Sequence, residues 1–414
     1  MASVSLVIPV YNSEAFLVSC LESVVGQTMR DLEIICVDDG STDSSPQILA
    51  DFAARDDRVR VITQPNSGQA SARDRGLGLA SADYVLFLDN DDNFEPTMVE
   101  EAYDRCVADQ AEITVFKIRY FDSHTGDSFV ADFSLRMDLI PDRRPFSHRD
   151  MPLTFFRAFT PALWNKMFKR SFLVDCDIHF DPGLRFTDDL AFTYTALALA
   201  ERISVIDKPL VNYRTKREGS LWTKLNENPT DVVDALREAR RRIAERGVPD
   251  EIEPAFANAV LDQCLYNLST LSTREAFQTL YDELKSEAFS EFGLLERAED
   301  SYVSPEEYSR LVRIMNSSVG QYLFDEMRLN AEALAKEQER LKQIKERLKL
   351  TNERLKESTQ RLGETTKALD QASKRLALAR AKLDAITRRL PYRVARSIVA
   401  VPRSVRRYMR RLRS

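Results

Sequence analysis

Histidine is nearly absent from this 414-residue chain, and cysteine is sparse. His124, His148 and His179 are too few and too scattered for a histidine-rich metal site. Cys20, Cys36, Cys106, Cys176 and Cys264 are odd in number and no two are close. They form neither a disulfide framework nor a zinc ribbon. No apolar run approaches the roughly 18 residues that cross a bilayer. Val4–Val10 has no basic flank and is broken at Pro9 and Asn12, so it does not read as a signal peptide. The expected compartment is the reducing cytoplasm. Acid and lysine are missing from residues 388–414, which hold ten arginines, so the rest of the chain is more acidic than the overall net charge of -6. An acidic body with one basic tail argues against a general nucleic-acid binder and for a tail that meets an anionic surface.

What remains is 43% apolar and 30% charged, enough for a folded domain of roughly 200–250 residues with further elements. Val4–Val10, Leu32–Val37, Val59–Thr63, Tyr84–Leu88 and Glu112–Ile118 read as strands. Helical patterns separate them at Ala15–Val25, Ser45–Arg55, Gly68–Leu79 and Thr97–Asp109. The alternation predicts an α/β domain with a mostly parallel sheet. Residues 119–225 are less regular, with a helix expected at Leu190–Glu201, and they complete a catalytic domain over 1–225. Helical spacing over 226–325 predicts a small helical domain.

Proline is absent between Pro305 and Pro391, and leucine recurs at 334, 341, 348, 355, 362, 369, 376 and 383. Eight heptads on one stripe predict a coiled coil over 326–388 and a homo-oligomer of unspecified number; a long solvated helix packed on its own domain is the alternative. In the tail, 389–414, Val394, Ile398, Val401, Val405, Met409 and Leu412 lie three or four apart among arginines. That pattern predicts an amphipathic segment lying on an anionic membrane, which would place the protein peripherally on the inner face; contact with a protein partner or another copy, and with nucleic acid, are the competing readings.

Two acidic clusters follow strands. Asp89-Asn90-Asp91-Asp92 puts three carboxylates within four residues, which is tolerable where a cation neutralises them. The oxygen-only donor set suits Mg²⁺ or Mn²⁺, and such an ion can hold a diphosphate. Asp38-Asp39-Gly40-Ser41 offers Asp39 to a base N–H; Ser41 or Thr42 can equally cap the next helix.

In order along the chain, Val4–Asn12, Ser23–Thr28, Glu33–Asp43, Asn66–Asp74, Leu88–Asp92 and Trp164–Arg170 resemble the catalytic domain of glycosyltransferase family 2, of GT-A type. The resemblance implies a nucleotide-sugar-binding α/β fold. It implies a UDP-sugar donor held by Pro9, Tyr11, Asn12, Asp38, Asp39, Arg73, Asp89 and Asn90. It assigns Mn²⁺ or Mg²⁺ to Asp91, Asp89 and Asp92, and acceptor-side contacts to Trp164, Asn165 and Lys166. Asp188-Asp189-Leu190-Ala191-Phe192 is similar to the family's Glu-Asp motif, so the general base falls on Asp189 and Asp188 stands where the family has Glu. Tyr213–Leu221 resembles the lid, with Arg217 as the residue that meets the diphosphate and Lys216 or Arg214 as alternatives. The implied reaction is inverting transfer to a glycan or lipid-linked hydroxyl in cell-surface polysaccharide synthesis. A degenerate, non-catalytic scaffold is the competing reading, and a sugar-phosphate nucleotidyltransferase fits less well because no basic, glycine-rich loop follows the first strand.

Overall fold

The computed structural model describes residues 2–389, apart from 124, 185–186, 216–224 and 249. Its two central first strands, Val4–Val10 and Leu32–Asp38, are largely apolar because they are covered on both faces. β1 (Val4–Val10) is buried along its whole length. It pairs in parallel with β2 (Leu32–Asp38) and with β4 (Tyr84–Phe87), and β3 (Val59–Thr63) lies outside β2. The crossovers are α1 (Leu17–Val25), α2 (Ser45–Arg55) and α3 (Gln69–Leu79). Leu17, Cys20, Leu21 and Val24 make the buried stripe of α1 at helical spacing. Helix α3 lies close on β1 because position 76 is glycine: a Cβ there would sit 2.3 Å from Cγ1 of Val7.

Beyond β4 the sheet becomes mixed. β5 (Asn93–Phe94), β6 (Ile113–Asp122), β7 (Ser128–Ala131), β8 (Lys166–Lys169) and β9 (Ile203–Thr215) complete an order of β3-β2-β1-β4-β8-β6-β9-β5, with β7 on β6. β8 is antiparallel to both β4 and β6, while β6 and β9 are parallel. The mostly parallel expectation therefore needs correcting in this half. No crossover helix precedes β8, so its direction is set by the irregular chain before it. Helices α4 (Met98–Asp109), α5 (Arg170–Asp175) and α6 (Asp188–Leu199) complete this part.

The two faces of the sheet carry separate cores. Leu6, Ile8 and Val10 point to the face packed by α1 and α4, together with Phe116, Ile118 and Trp164. Val7, Val85 and Phe87 point to the opposite face. That second core continues through Phe192 of α6 into α7 (Asp231–Glu245), α8 (Glu253–Thr270), α9 (Arg274–Glu283), α10 (Phe289–Glu291) and α11 (Pro305–Asn316). The helices expected as a domain of their own from 226 thus share one apolar core with the α/β part. Phe156 meets Phe256 at 5.6 Å, and Arg157 pairs with Glu307. Residues up to Tyr322 form one compact unit, and Leu323 opens a second.

The last helix, α12 (Val319–Arg389), spans 71 residues, roughly 105 Å at the standard rise. Within the second unit the heptad leucines are exposed, from 48% at Leu383 to 72% at Leu369. The basic tail lies outside the described residues. Among the described residues, no helix is long and apolar enough to cross a membrane.

Candidate active site

In the strand order, β1 continues to β2 on one side while β4 lies on the other. The chain reverses there, and a crevice opens at the carboxyl ends of these strands. Both acidic clusters fall at that crevice.

Asp89, Asp91 and Asp92 follow β4, and one carboxylate oxygen from each lies within 4.8 Å of the others. Asp91 and Asp92 are 3% and 0% exposed. Asp92 accepts the backbone N–H of Arg214 at 2.8 Å, and the carbonyl of Asp91 accepts Nε of Arg214 at 2.9 Å. β9 is therefore stitched to the cluster. Arg214, named from sequence only as a fallback for the lid, is fixed here between the rings of Phe16 and Phe121. Three carboxylates so close suit a hard divalent cation with oxygen ligands. Asn90 does not face the cluster's ligand side: its Nδ2 donates to the carbonyl of Pro9 at 2.7 Å, tying the ends of β1 and β4 together.

Arg73 is the link the sequence did not disclose. It comes from α3 and is 4% exposed. One guanidinium nitrogen donates to Asp89 at 2.8 Å and another to Asp188 at 2.9 Å. Gln69, one turn earlier, also reaches Asp89, at 3.3 Å. Burial works against the Arg73 cation, but Asp188, Asp89 and Asp189 hold its pKa above the ordinary value. This guanidinium joins the candidate metal cluster to the candidate catalytic acids.

Asp188 and Asp189 open α6, where the helix N-terminus favours negative charge. Asp188 is buried; desolvation raises its pKa and Arg73 opposes the rise. Asp189 is partly exposed. Desolvation, then the Asp188 charge, pushes Asp189 up to about 7. One acid is committed to Arg73 and its neighbour is left with a raised pKa, the range in which a carboxylate works as a general base.

The Asp38–Asp39 turn is occupied internally. Asp39 accepts Gln64 Nε2 at 2.8 Å, Ser67 N–H at 2.9 Å and Gly68 N–H at 2.8 Å. Both oxygens of Asp39 thus hold the loop ahead of α3. Asp38 accepts the N–H of Ser41. Gly40 has φ of +74°, and a Cβ there would lie 2.9 Å from the nitrogen of Asn66, so the turn requires glycine. Asn12 accepts Thr42 N–H at 2.8 Å and fixes the β1 end against this turn. Tyr11 beside it is 49% exposed and faces solvent at the crevice.

Two acceptor-side assignments also need correcting. Lys166 is fully buried, and its ammonium donates to the carbonyls of Thr160 and Ala162 and to Oδ1 of Asn165. Asn165 is buried too and donates to the carbonyl of Phe116 at 2.8 Å. Both pin the chain ahead of β8 and neither is open to a ligand. Trp164 stacks on Tyr213 at 5.0 Å with planes 10° apart. Arg217 and Lys216 lie outside the described residues.

Known proteins point the same way. The family model described as "Glycosyl transferase family 2" matches residues 5–175. The glycosyltransferase GlyG of Streptococcus pneumoniae is 32% identical over 230 residues, covering 53% of this chain and 72% of that protein. EpsJ of Bacillus subtilis, also a glycosyltransferase by name, is 31% identical over 219 residues; the match covers 51% of this chain and 60% of EpsJ. Residues 1–349 of TarS from S. aureus, solved in complex with UDP-GlcNAc, share the fold with a TM-score of 0.57 at 21% identity. That likeness covers 75% of this chain and 90% of the TarS fragment.

Proposed function

The chain belongs to glycosyl transferase family 2, and on that premise we propose that it transfers a sugar, with inversion, from a metal-bound UDP-sugar to a hydroxyl of a glycan or lipid-linked acceptor in cell-surface polysaccharide synthesis. One observation carries this reading: the Asp89–Asp91–Asp92 cluster and the Asp188–Asp189 pair are joined through the single buried side chain of Arg73. UDP as the nucleotide is supported by the shared fold of TarS, which was solved with UDP-GlcNAc.

In this reading Tyr11, exposed at the carboxyl-end crevice, offers a ring to the base, while Asp38, Asp39 and Asn12 hold the loops around it. Asp89, Asp91 and Asp92 would hold Mg²⁺ or Mn²⁺, which supplies positive charge to the diphosphate leaving group. Asp188, fixed by Arg73, sets the position of the first turn of α6. Asp189 takes the proton of the acceptor hydroxyl as that oxygen attacks the anomeric carbon. The C–O bond to the nucleotide diphosphate breaks as the new glycosidic bond forms on the opposite face, so one displacement with one base inverts the centre. The leucine stripe of α12 supports self-association, and the arginine-rich segment 389–414 supports binding to an anionic membrane surface.

Asp189→Asn tests the assignment. The expected result is a loss of acceptor-dependent turnover of about 10²–10⁴-fold, with UDP binding retained. Near-normal turnover would remove Asp189 from the role of base.

A further inference from the structure

A row of aromatic rings leads away from the acidic cluster, and the reaction assigned to that cluster does not use it. Tyr213 of β9, Tyr120 of β6 and Phe129 of β7 are direct partners in the strand register. Residues opposite one another in a ladder share a face, so the three rings lie side by side across three strands. Their spacing is regular: 4.9 Å from Tyr213 to Tyr120 and 5.3 Å from Tyr120 to Phe129. Trp164 stacks on Tyr213 at the inner end, and Phe133 packs edge-on against Tyr120 at 5.6 Å.

The inner end is anchored at the site. Tyr213 immediately precedes Arg214, whose backbone N–H bonds Asp92. Burial raises the Tyr213 phenol well above its ordinary value, and the charges of Asp92, Asp89 and Asp91 add to that shift. The outer end is open: Phe129 is 56% exposed and Phe133 is 54% exposed. The row also stands on the carboxyl-end side of the parallel strands, since Tyr120 and Tyr213 are near the last residues of β6 and β9. Donor and row therefore open on the same side of the sheet.

Fold stability does not call for two phenylalanines left more than half in water. Flat apolar faces with phenol hydroxyls between them match pyranose rings, which present C–H groups on their faces and hydroxyls at their rims. A protein-binding surface would more often be a broad patch, whereas this one is a strip of single rings ending at carboxylates.

We propose that Tyr213, Tyr120, Phe129 and Phe133, backed by the buried Trp164, form an extended acceptor subsite that binds successive pyranose rings of an oligosaccharide chain and feeds its end toward Asp189. This rests on the glycosyltransferase reading and adds to it that the acceptor is a chain of sugars rather than a single small alcohol.

The test uses the full-length protein with UDP and Mn²⁺, and maltotetraose, cellotetraose and chitotetraose as probes, read by saturation-transfer NMR and titration. Wild type is expected to bind at least one of them. The double variant Phe129→Ala, Phe133→Ala should weaken that binding about tenfold, and Phe129→Tyr, Phe133→Tyr should retain it. Binding of UDP with Mn²⁺ by the same variants reports an intact fold, and it separates failure of this proposal from failure of the donor reading. The proposal is overturned if wild type binds none of the three or if the alanine variant binds as wild type does. It is equally overturned if that variant alters only sedimentation or binding to phosphatidylglycerol vesicles, which would make the row an interface with a second copy or a membrane.

Discussion

Arg73 decides how the site holds together. A buried guanidinium shared by two carboxylates is costly to desolvate, and removing it strands Asp188 in the interior. Arg73→Met should therefore lower stability by about 3–5 kcal/mol in denaturant unfolding. Arg73→Lys should remain impaired, because a point charge cannot span Asp89 and Asp188 as a fork does. A lysine variant with wild-type stability and turnover would contradict the bridging role. Asp189 gives a second test. A base must be deprotonated to act, so activity should rise with pH below the midpoint and level off above it. The apo carboxyl is pushed up to about 7; a divalent cation at the neighbouring cluster would lower this. The acidic limb of kcat/KM should then lie at or below 7 and above the ordinary 3.8. A limb near the ordinary value would show that the desolvation and the Asp188 charge acting on Asp189 are not felt in the working enzyme. The same shift affects stability. Because folding raises this pKa, the contribution of Asp189 is full below about pH 4 and is lost as pH rises through about 7.

At the scale of elements, the strands that build the crevice were legible because β1, β2 and β4 are largely apolar runs, with β2 and β4 leading into acid. Helix α6 was legible as well, though it begins at Asp188, two residues before the expected start. The second half of the sheet was not. β8 is only Lys166–Lys169, with a lysine at each end. Its first lysine is buried because carbonyls of the preceding turn converge on it, a tertiary arrangement that no local pattern encodes. The ring row was hidden for a similar reason: Tyr213 is distant in sequence from Tyr120 and Phe129, and the three meet only through strand register. Helix α12 was read from its heptads, and its charges allow a further step. With leucine at position a, Arg347, Arg354 and Arg361 fall at g. In a parallel in-register pair they would face Asn352, Thr359 and Thr366, although Arg340 with Lys345 and Arg375 with Arg380 remain like-charged. In an antiparallel pair the arginine rows would face each other throughout. Leu334→Cys is thus expected to crosslink two copies under oxidation, and Leu355→Lys with Leu362→Lys to give a monomer by sedimentation. A wild-type monomer at micromolar concentration would remove the self-association proposal.

For the whole molecule, one unit through Tyr322 holds every described residue of the candidate site, and the second carries the exposed leucine stripe. The candidate chemistry thus lies in the first unit, and the proposed self-association would use the second. The domain boundary expected near residue 225 had no counterpart in packing, because Val232, Val233 and Leu236 of α7 join the core that already holds Phe192. A change of pattern from mixed to helical marks a change of secondary structure and does not by itself mark a new core. The central claim is electrostatic: Asp89, Asp91 and Asp92 can lie together because a divalent cation shares them with a diphosphate. The most direct measurement is calorimetric titration of UDP into the full-length protein with Mn²⁺ and again with EDTA, repeated on Asp91→Asn. The account predicts at least about tenfold tighter binding with the metal and loss of that gain in the variant; equal UDP affinity with and without Mn²⁺ would contradict it.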